Sequence, residues 1–263
     1  MEEFKDSISE TDLDQFIKII NELTGMDIND KRHNLLLKLP KFIKDMNFNS
    51  FSEFLSRVRV NKDLRQKTLN FVTIGETYFL RELPQLQEIV FHAKSLDRRV
   101  SILSAPCSSG EEVYSLAILA AQNFIKEMYI LGVDINSDVI EKAKRGKYKG
   151  RTLNHISSDQ KTRFFMKEDE DYYTIDKNKI CSCRFELHNV FESNFLRLSK
   201  FDIILSRNML IYFDYDSKLK VLENFHKILA DDGRLYVGTA DLIPDNIFFK
   251  KVFSSKGTYY EKL

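Results

Sequence analysis

Apolar positions divide the chain into two textures. Over the first 70 or so residues they recur at helical spacing. Leu13, Phe16, Ile17, Ile20 and Leu23 form one stripe, and Gly25 follows as a stop signal. Leu35, Leu36, Leu39, Phe42 and Ile43 predict a second helix, in which Pro40 predicts a kink or an interruption. Ser52, Phe54, Leu55 and Val58 predict a third, with Ser50 as its N-cap. From about Arg98, short β-rich runs alternate with helical runs. Strands are expected at Val100–Leu103, Tyr129–Val133, Phe185–His188, Phe201–Leu205 and Arg234–Val237. Helices are expected at Glu111–Phe124, at Ser137–Arg145 with Gly146 ending it, and at Ser217–Ala230. Ile247–Phe253 and Thr258–Lys262 look like further strands, and Lys149–Ser182 is polar without a clear period. Such alternation implies an α/β fold, with parallel strands and helices on both faces. The organisation expected is a helical domain over 1–70, a connector over 71–97 that contributes to the active site, and an α/β domain over 98–263.

Charge and composition narrow the classes. A formal net charge of +1 argues against a dedicated nucleic-acid binder, which needs a strongly basic domain. No apolar run approaches the roughly 18 residues of a membrane span, and the acidic, polar stretch Met1–Asp14 is not a secretory signal. Cys107, Cys181 and Cys183 cannot make an even disulfide framework and read as reduced thiols of a cytoplasmic protein. The five histidines show no ligand spacing, so no metal is expected.

The turn after the first expected strand reads Ser104-Ala105-Pro106-Cys107-Ser108-Ser109-Gly110-Glu111-Glu112. In an open α/β sheet, ligands bind beyond the carboxyl ends of the strands, and small residues let them approach the backbone. Ser108 and Ser109 each precede a glutamate by three residues, which is capping-box spacing, so a plain helix cap is the competing reading. Asp134 ends the next strand, where a carboxylate can accept both ribose hydroxyls of an adenosine. It too can be an N-cap, although Ser137 suits that post better. The turn lacks G-x-G-x-x-G and a P-loop lysine, and Glu111 and Glu112 would repel a phosphate. S-adenosylmethionine, a cation without phosphate, fits better than NAD or ATP.

Three segments then look familiar. SAPCSSGEEVYSLAI (104–118) resembles the cofactor turn of the chemotaxis receptor methyltransferases, the CheR family. TIGETYFLRE (73–82) resembles the connector of that family, T-x-N-E-T-x-F-F-R, and FDIILSRNMLIYFD (201–214) its motif F-D-x-I-x-C-R-N-V-x-I-Y-F-D. Asp134-Ile135-Asn136 and Asp231-Asp232-Gly233-Arg234-Leu235 fit as well, and the resemblance covers essentially the whole chain. It implies a Rossmann-like S-adenosylmethionine-dependent methyltransferase domain behind a small all-α N-terminal domain, esterifying receptor glutamates. Thr77, Arg81, Ala105, Glu111, Glu112, Asp134, Asn189, Val190, Arg207 and Asn208 are the cofactor-site residues it implies, with Glu112 preferred over Glu111. Arg81 and Tyr212 are the catalytic ones. Receptor docking in this family uses a small antiparallel subdomain, expected within Tyr172–Leu187. Gly75 departs from the usual Asn, Leu80 from Phe, and Thr239-Ala240-Asp241 from H-S-E; the last two read as packing changes.

The chemistry suits these residues. A glutamate carboxylate is already ionised at neutral pH and needs no general base. Catalysis can rest on positioning, for which the planar fork of Arg81 matches a carboxylate. Alternatively Arg81 pairs with Glu82 or Glu111 and braces the connector, and Tyr212 is a core aromatic. From Lys31 to Lys67, ten basic residues face Asp45, Glu53 and Asp63. That stretch can steer toward the acidic cytoplasmic domain of a chemotaxis receptor, or be a solvated face. A cytoplasmic monomer that binds no nucleic acid and inserts into no membrane is expected. The competing functions are a methyltransferase for RNA or a small molecule, and a cofactor-binding regulator with a non-receptor partner.

Overall fold

Ser9 starts the first helix with a reciprocal cap. Its hydroxyl accepts the Asp12 N–H at 3.1 Å, and the Asp12 carboxylate accepts the Ser9 N–H at 3.2 Å. The helix, α1 (Glu10–Thr24), ends at Gly25 in the left-handed conformation. The computed structural model describes residues 8–73, 75–125, 127–254 and 257–263. Met1–Ser7 of the acidic N-terminal stretch and Ile74 of the connector motif lie outside the described residues. The chain divides into two compact units, one Met1–Thr73 with Tyr212–Lys218, the other Ile74–Ile211 with Leu219–Leu263.

In the first unit, α1 is joined by α2 (Arg32–Asp45), α3 (Phe51–Val58) and α4 (Lys62–Val72). Ser50 caps α3 as its sequence suggests, accepting from the Glu53 N–H. The helices close on a phenylalanine cluster in which Phe16, Phe51 and Phe54 are fully buried and Phe42 stacks on Phe71 at 4.3 Å. Truncating one such ring to Ala typically costs about 3–5 kcal/mol. Helix α2 runs unbroken through Pro40, against the expected interruption. The buried face Leu35, Leu39 and Ile43 holds it together, so one missing N–H donor is tolerated. The basic stretch is partly neutralised here. Arg32 pairs with Glu10 and Asp14, and Arg59 pairs with Glu22. Lys38, Lys41 and Lys44 stay exposed.

The second unit opens with α5 (Leu83–Ser95), a helix absent from the sequence reading of 71–97 as a connector. Pro84 sits in its first turn, where its missing N–H costs nothing, and Leu86, Ile89, Val90 and Ala93 make its buried face. There follow β1 (Val100–Ser104), α6 (Glu111–Gln122), β2 (Met128–Asp134) and α7 (Ser137–Arg145). Next come β3 (Lys147–Lys149), α8 (Ser158–Phe164), β4 (Phe165–Lys167), β5 (Tyr172–Ile175), β6 (Ser182–Leu187) and β7 (Phe201–Ser206). The chain ends with α9 (Tyr215–Ile228), β8 (Leu229–Val237), β9 (Phe249–Ser254) and β10 (Gly257–Lys262).

Among the described residues seven strands form one sheet, in the order β6-β2-β1-β7-β8-β10-β9. The first five are parallel, and β10 runs antiparallel to β8 and β9. Every residue of β7 is buried, as a central parallel strand covered on both faces requires. Strand order turns back at β1, between β2 on one side and β7 on the other. That switch point leaves a crevice at the carboxyl end of β1. The polar segment folds as a separate antiparallel sheet, β3-β5-β4. It spans 147–175, not the expected Tyr172–Leu187, because β6 pairs with β2 in the main sheet. Among the described residues no helix is long and apolar enough to cross a membrane.

Candidate functional site

The turn after β1 is sewn to the ends of its neighbours. The Ala105 N–H donates to the Leu205 carbonyl at 2.9 Å and the Cys107 N–H to the Val133 carbonyl at 2.8 Å. Gly110, at φ +94, is itself the N-cap of α6. A Cβ there would lie 2.9 Å from that of Ala143 and 3.0 Å from the Tyr148 hydroxyl, so only glycine fits. This displaces the expected capping box. Ser108 and Ser109 precede the cap and turn elsewhere, the Ser109 hydroxyl to Glu111 at 2.7 Å and the Ser108 hydroxyl to the Gly75 carbonyl at 2.9 Å. Glu111 is 2% exposed, and burial raises its pKa against the Ser109 hydrogen bond.

Asp134 closes β2 with its carboxylate turned to the same turn. One oxygen accepts the Ser108 N–H at 2.9 Å, and the other accepts the Asn136 N–H at 2.9 Å. Burial pushes its pKa up to about 6, against the pull of those backbone donors. It does not cap α7, and neither does Ser137. Asn136 takes that post, accepting from the N–H groups of Asp138 and Val139, because its extended backbone aims the side chain back at them. The His188 N–H donates to the Asp134 carbonyl at 3.0 Å, which ties the chain just ahead of Asn189 and Val190 to the end of β2. Asn189 accepts the Phe191 N–H, and the Val190 carbonyl accepts from the Asn224 amide.

At the other end, Leu80 and Glu82 both adopt left-handed backbone, at φ +60 and +52. Each costs about 1–2 kcal/mol in a residue other than glycine, and together they turn the chain sharply around Arg81. Hydrogen bonds offset the strain. The Leu80 N–H donates to the Ser115 hydroxyl at 2.8 Å, and the Arg207 guanidinium donates to the Arg81 carbonyl at 2.7 Å. Arg207 is 4% exposed and donates through its other terminal nitrogen to Glu112 at 2.9 Å, while Ser104 holds the second Glu112 oxygen at 2.8 Å. Burial raises the Glu112 pKa, and Arg207 pulls it back. Glu82 lies 3.5 Å from Arg207.

The Arg81 guanidinium has no carboxylate within ion-pair distance among the described residues, so the expected alternative pairing with Glu82 or Glu111 does not occur. It lies 5.8 Å from the ring centre of Tyr78. Half-buried Thr77 precedes them. Asn208, at φ +57, follows Arg207, and its N–H is held by Asp241. The buried Asp241 carboxylate also accepts the Ile211 N–H at 3.2 Å and the Gly238 N–H at 3.1 Å. It is more than the packing change read from the sequence. Ser115 and Asp241 were missed as site-builders because their partners Leu80 and Asn208 lie 35 and 33 positions away. A cavity of about 990 Å³ opens beside this end, lined by Glu82, Gln85, Gly238, Asp241, Leu242 and Tyr260 among others.

One unit therefore holds Thr77, Arg81, Ala105, Glu111, Glu112, Asp134, Asn189, Val190, Arg207 and Asn208. Tyr212 falls in the helical unit, where Lys31 lies 4.7 Å from its ring centre and its carbonyl accepts the Asp27 N–H at 2.7 Å.

Parallel strands with a small-residue turn after β1 and a carboxylate at the end of β2 make a Rossmann-like nucleotide site, and the family match makes it that of a methyltransferase using S-adenosylmethionine. Residues 75–258 match the CheR methyltransferase, SAM binding domain, and the chain belongs to that family. It is 66% identical over 255 residues, 97% of each chain, to a chemotaxis protein methyltransferase of Campylobacter jejuni. It is 29% identical over 275 residues to chemotaxis protein methyltransferase 2 of Vibrio cholerae, covering 97% of this chain and 94% of that one.

Proposed function

We propose that this chain methylates glutamate side chains in the cytoplasmic domain of a chemotaxis receptor, working as a monomer in the cytoplasm. The receptor as substrate class comes from the family and from the names of its relatives. The observation that carries the chemistry is Arg81. Its main chain is fixed on a strained turn, while its guanidinium carries no paired carboxylate among the described residues. Such a group can take a substrate carboxylate in a two-point grip.

The residues fit the cofactor. The Asp134 oxygens accept the N–H groups of Ser108 and Asn136, and a carboxylate with about four acceptor sites keeps room for ribose hydroxyls. Asn189 and Val190 then stand at the adenine, and Ala105, Glu111, Glu112 and Thr77 toward the methionine moiety. When bound, S-adenosylmethionine supplies an electrophilic methyl on a sulfonium. The ionised substrate glutamate needs no base, and Arg81 orients it. Arg207 holds the turn on which Arg81 stands, and Arg207 and Asn208 close the site. The cavity beside Glu82 and Gly238 gives room for the flanking receptor segment. For Tyr212 the proposal rests on its motif alone, a hydroxyl offered to the carboxylate and removed by Tyr212→Phe. Residues 71–97 are assigned as the active-site connector between domains at 1–70 and 98–263. Exposed Lys38, Lys41 and Lys44 are assigned to receptor steering.

The test is transfer of labelled methyl groups to a receptor cytoplasmic fragment. Base-labile methyl esters on glutamate are expected, and their absence with folded, cofactor-binding enzyme overturns the reading. Reversing the three lysines to Glu should raise KM for the fragment at low salt and leave cofactor affinity intact. Identical kinetics would leave them as a solvated face.

A further inference from the structure

The backbone at Arg81 is pinned by hydrogen bonds, while its guanidinium makes no ion pair among the described residues. The Phe79 N–H donates to the Thr152 carbonyl at 3.0 Å, the Leu80 N–H to Ser115, and the Arg81 carbonyl accepts from Arg207. A guanidinium on a flexible stem has many rotamers, so something else must fix its direction. An ion pair would do so, but it would also occupy the N–H edge that a substrate carboxylate needs. An aromatic ring holds the guanidinium by its face and leaves the in-plane donors free.

Tyr78 offers that ring. The Arg81 guanidinium carbon stands over it at 5.8 Å, and the His155 imidazole packs against it with ring centres 5.2 Å apart and planes 34° apart. His155 follows the short turn Gly150–Leu153, the segment whose Thr152 carbonyl also holds Phe79. Connector and turn are thus joined twice, by a main-chain hydrogen bond at Phe79 and by a ring contact at Tyr78, three residues before Arg81. Tyr78 fills the unspecified position of the connector motif T-x-N-E-T-x-F-F-R.

We propose that Tyr78, backed by His155, is a positioning residue that holds the Arg81 guanidinium by its face and leaves its N–H edge open for the incoming glutamate carboxylate. The proposal rests on the reading of Arg81 given above.

The experiment measures methyl transfer to a receptor cytoplasmic fragment together with the NMR signal of the Arg81 Nε–H, assigned by its loss in Arg81→Lys. Tyr78→Leu should lower kcat about fivefold, the size expected for one exposed cation–π contact. KM and S-adenosylhomocysteine affinity should stay within twofold. The Arg81 signal should lose its ring-current shift. Tyr78→Phe, which keeps the ring face, should restore both readouts. His155→Ala should act in the same direction by less, with rescue by His155→Phe.

Unchanged kcat in Tyr78→Leu overturns the proposal. So does an equal loss in Tyr78→Phe, which would make the hydroxyl the working part. A raised KM with kcat intact would put Tyr78 in receptor docking and overturns it too. Near-parent turnover in Arg81→Ala is a separate failure. It would remove the role of Arg81 itself, while the NMR shift would still report whether Tyr78 holds the side chain.

Discussion

The two ends of the site are built on different principles. At the cofactor end, a single carboxylate, Asp134, is surrounded by backbone N–H donors. At the transfer end, side-chain charges hold one another, with Arg207 gripping Glu112, the Arg81 carbonyl and, at 3.5 Å, Glu82. Backbone donors stay in place when a side chain is cut away, whereas a buried ion pair does not survive the loss of one partner. The cofactor end should therefore fail by losing ligand, and the buried Arg207–Glu112 pair at the transfer end by losing fold and catalysis together.

The largest expected effect is at Arg207. Arg207→Leu strands the Glu112 carboxylate in the interior and should cost about 3–5 kcal/mol of stability, read by denaturant unfolding. A loss under 1 kcal/mol would erase the contrast. Next comes Arg81→Ala, expected to lower turnover on a receptor fragment at least about 100-fold, as loss of oriented binding does. Unfolding should change little, because only the backbone of Arg81 joins the clamp. Lysine should rescue poorly, lacking the planar fork.

Asp134→Ala should weaken S-adenosylhomocysteine by about 1.5–3 kcal/mol, as lost charge-assisted hydrogen bonds do. Unchanged affinity by calorimetry would remove Asp134 from the site. Its raised pKa sharpens the test. A folded-state pKa of about 6 against 3.8 unfolded means the folded form keeps its proton longer. The Asp134 contribution to stability therefore falls as pH rises from about 4 to 6, by up to about 3 kcal/mol. Cofactor affinity should run the other way, dropping as pH falls below 6, and both slopes should vanish in Asp134→Ala. Parallel pH profiles for parent and variant would contradict this. The smallest effect is at Gly75. A Cβ there would meet Val139 at 3.0 Å, so Asn must push that side chain slightly. Gly75→Asn should tighten cofactor binding no more than about tenfold, the size of one hydrogen bond.

The main sheet could be read from sequence wherever a strand was long enough to display its pattern. Strands β1, β2, β7 and β8 carry runs of buried aliphatic residues, and Gly146 marks the end of α7 as its position suggests. The β3-β5-β4 sheet could not be read, because strands of three or four residues such as Lys147–Lys149 are too short to show a period of two. Helix α5 follows the 73–82 motif and lies in the stretch 71–97 that is read whole as a connector. Within the site, motif spacing marks Glu112 and Arg207 but does not say that they touch. Asp241 looks like a substitution until backbone N–H groups, those of Asn208, Ile211 and Gly238 among them, are seen to converge on it.

The Arg207 clamp also says something about folding. It closes contacts across 95 and 126 positions of chain, to Glu112 and to Arg81. Contacts of that separation cost the most loop entropy and form late. The turn that presents Arg81 is held at Leu80 and Arg81 only when α6 and the end of β7 are already in place. Catalytic competence should therefore arrive at the end of folding, and methylation by a nascent or partly unfolded chain should be negligible even where it retains the sheet.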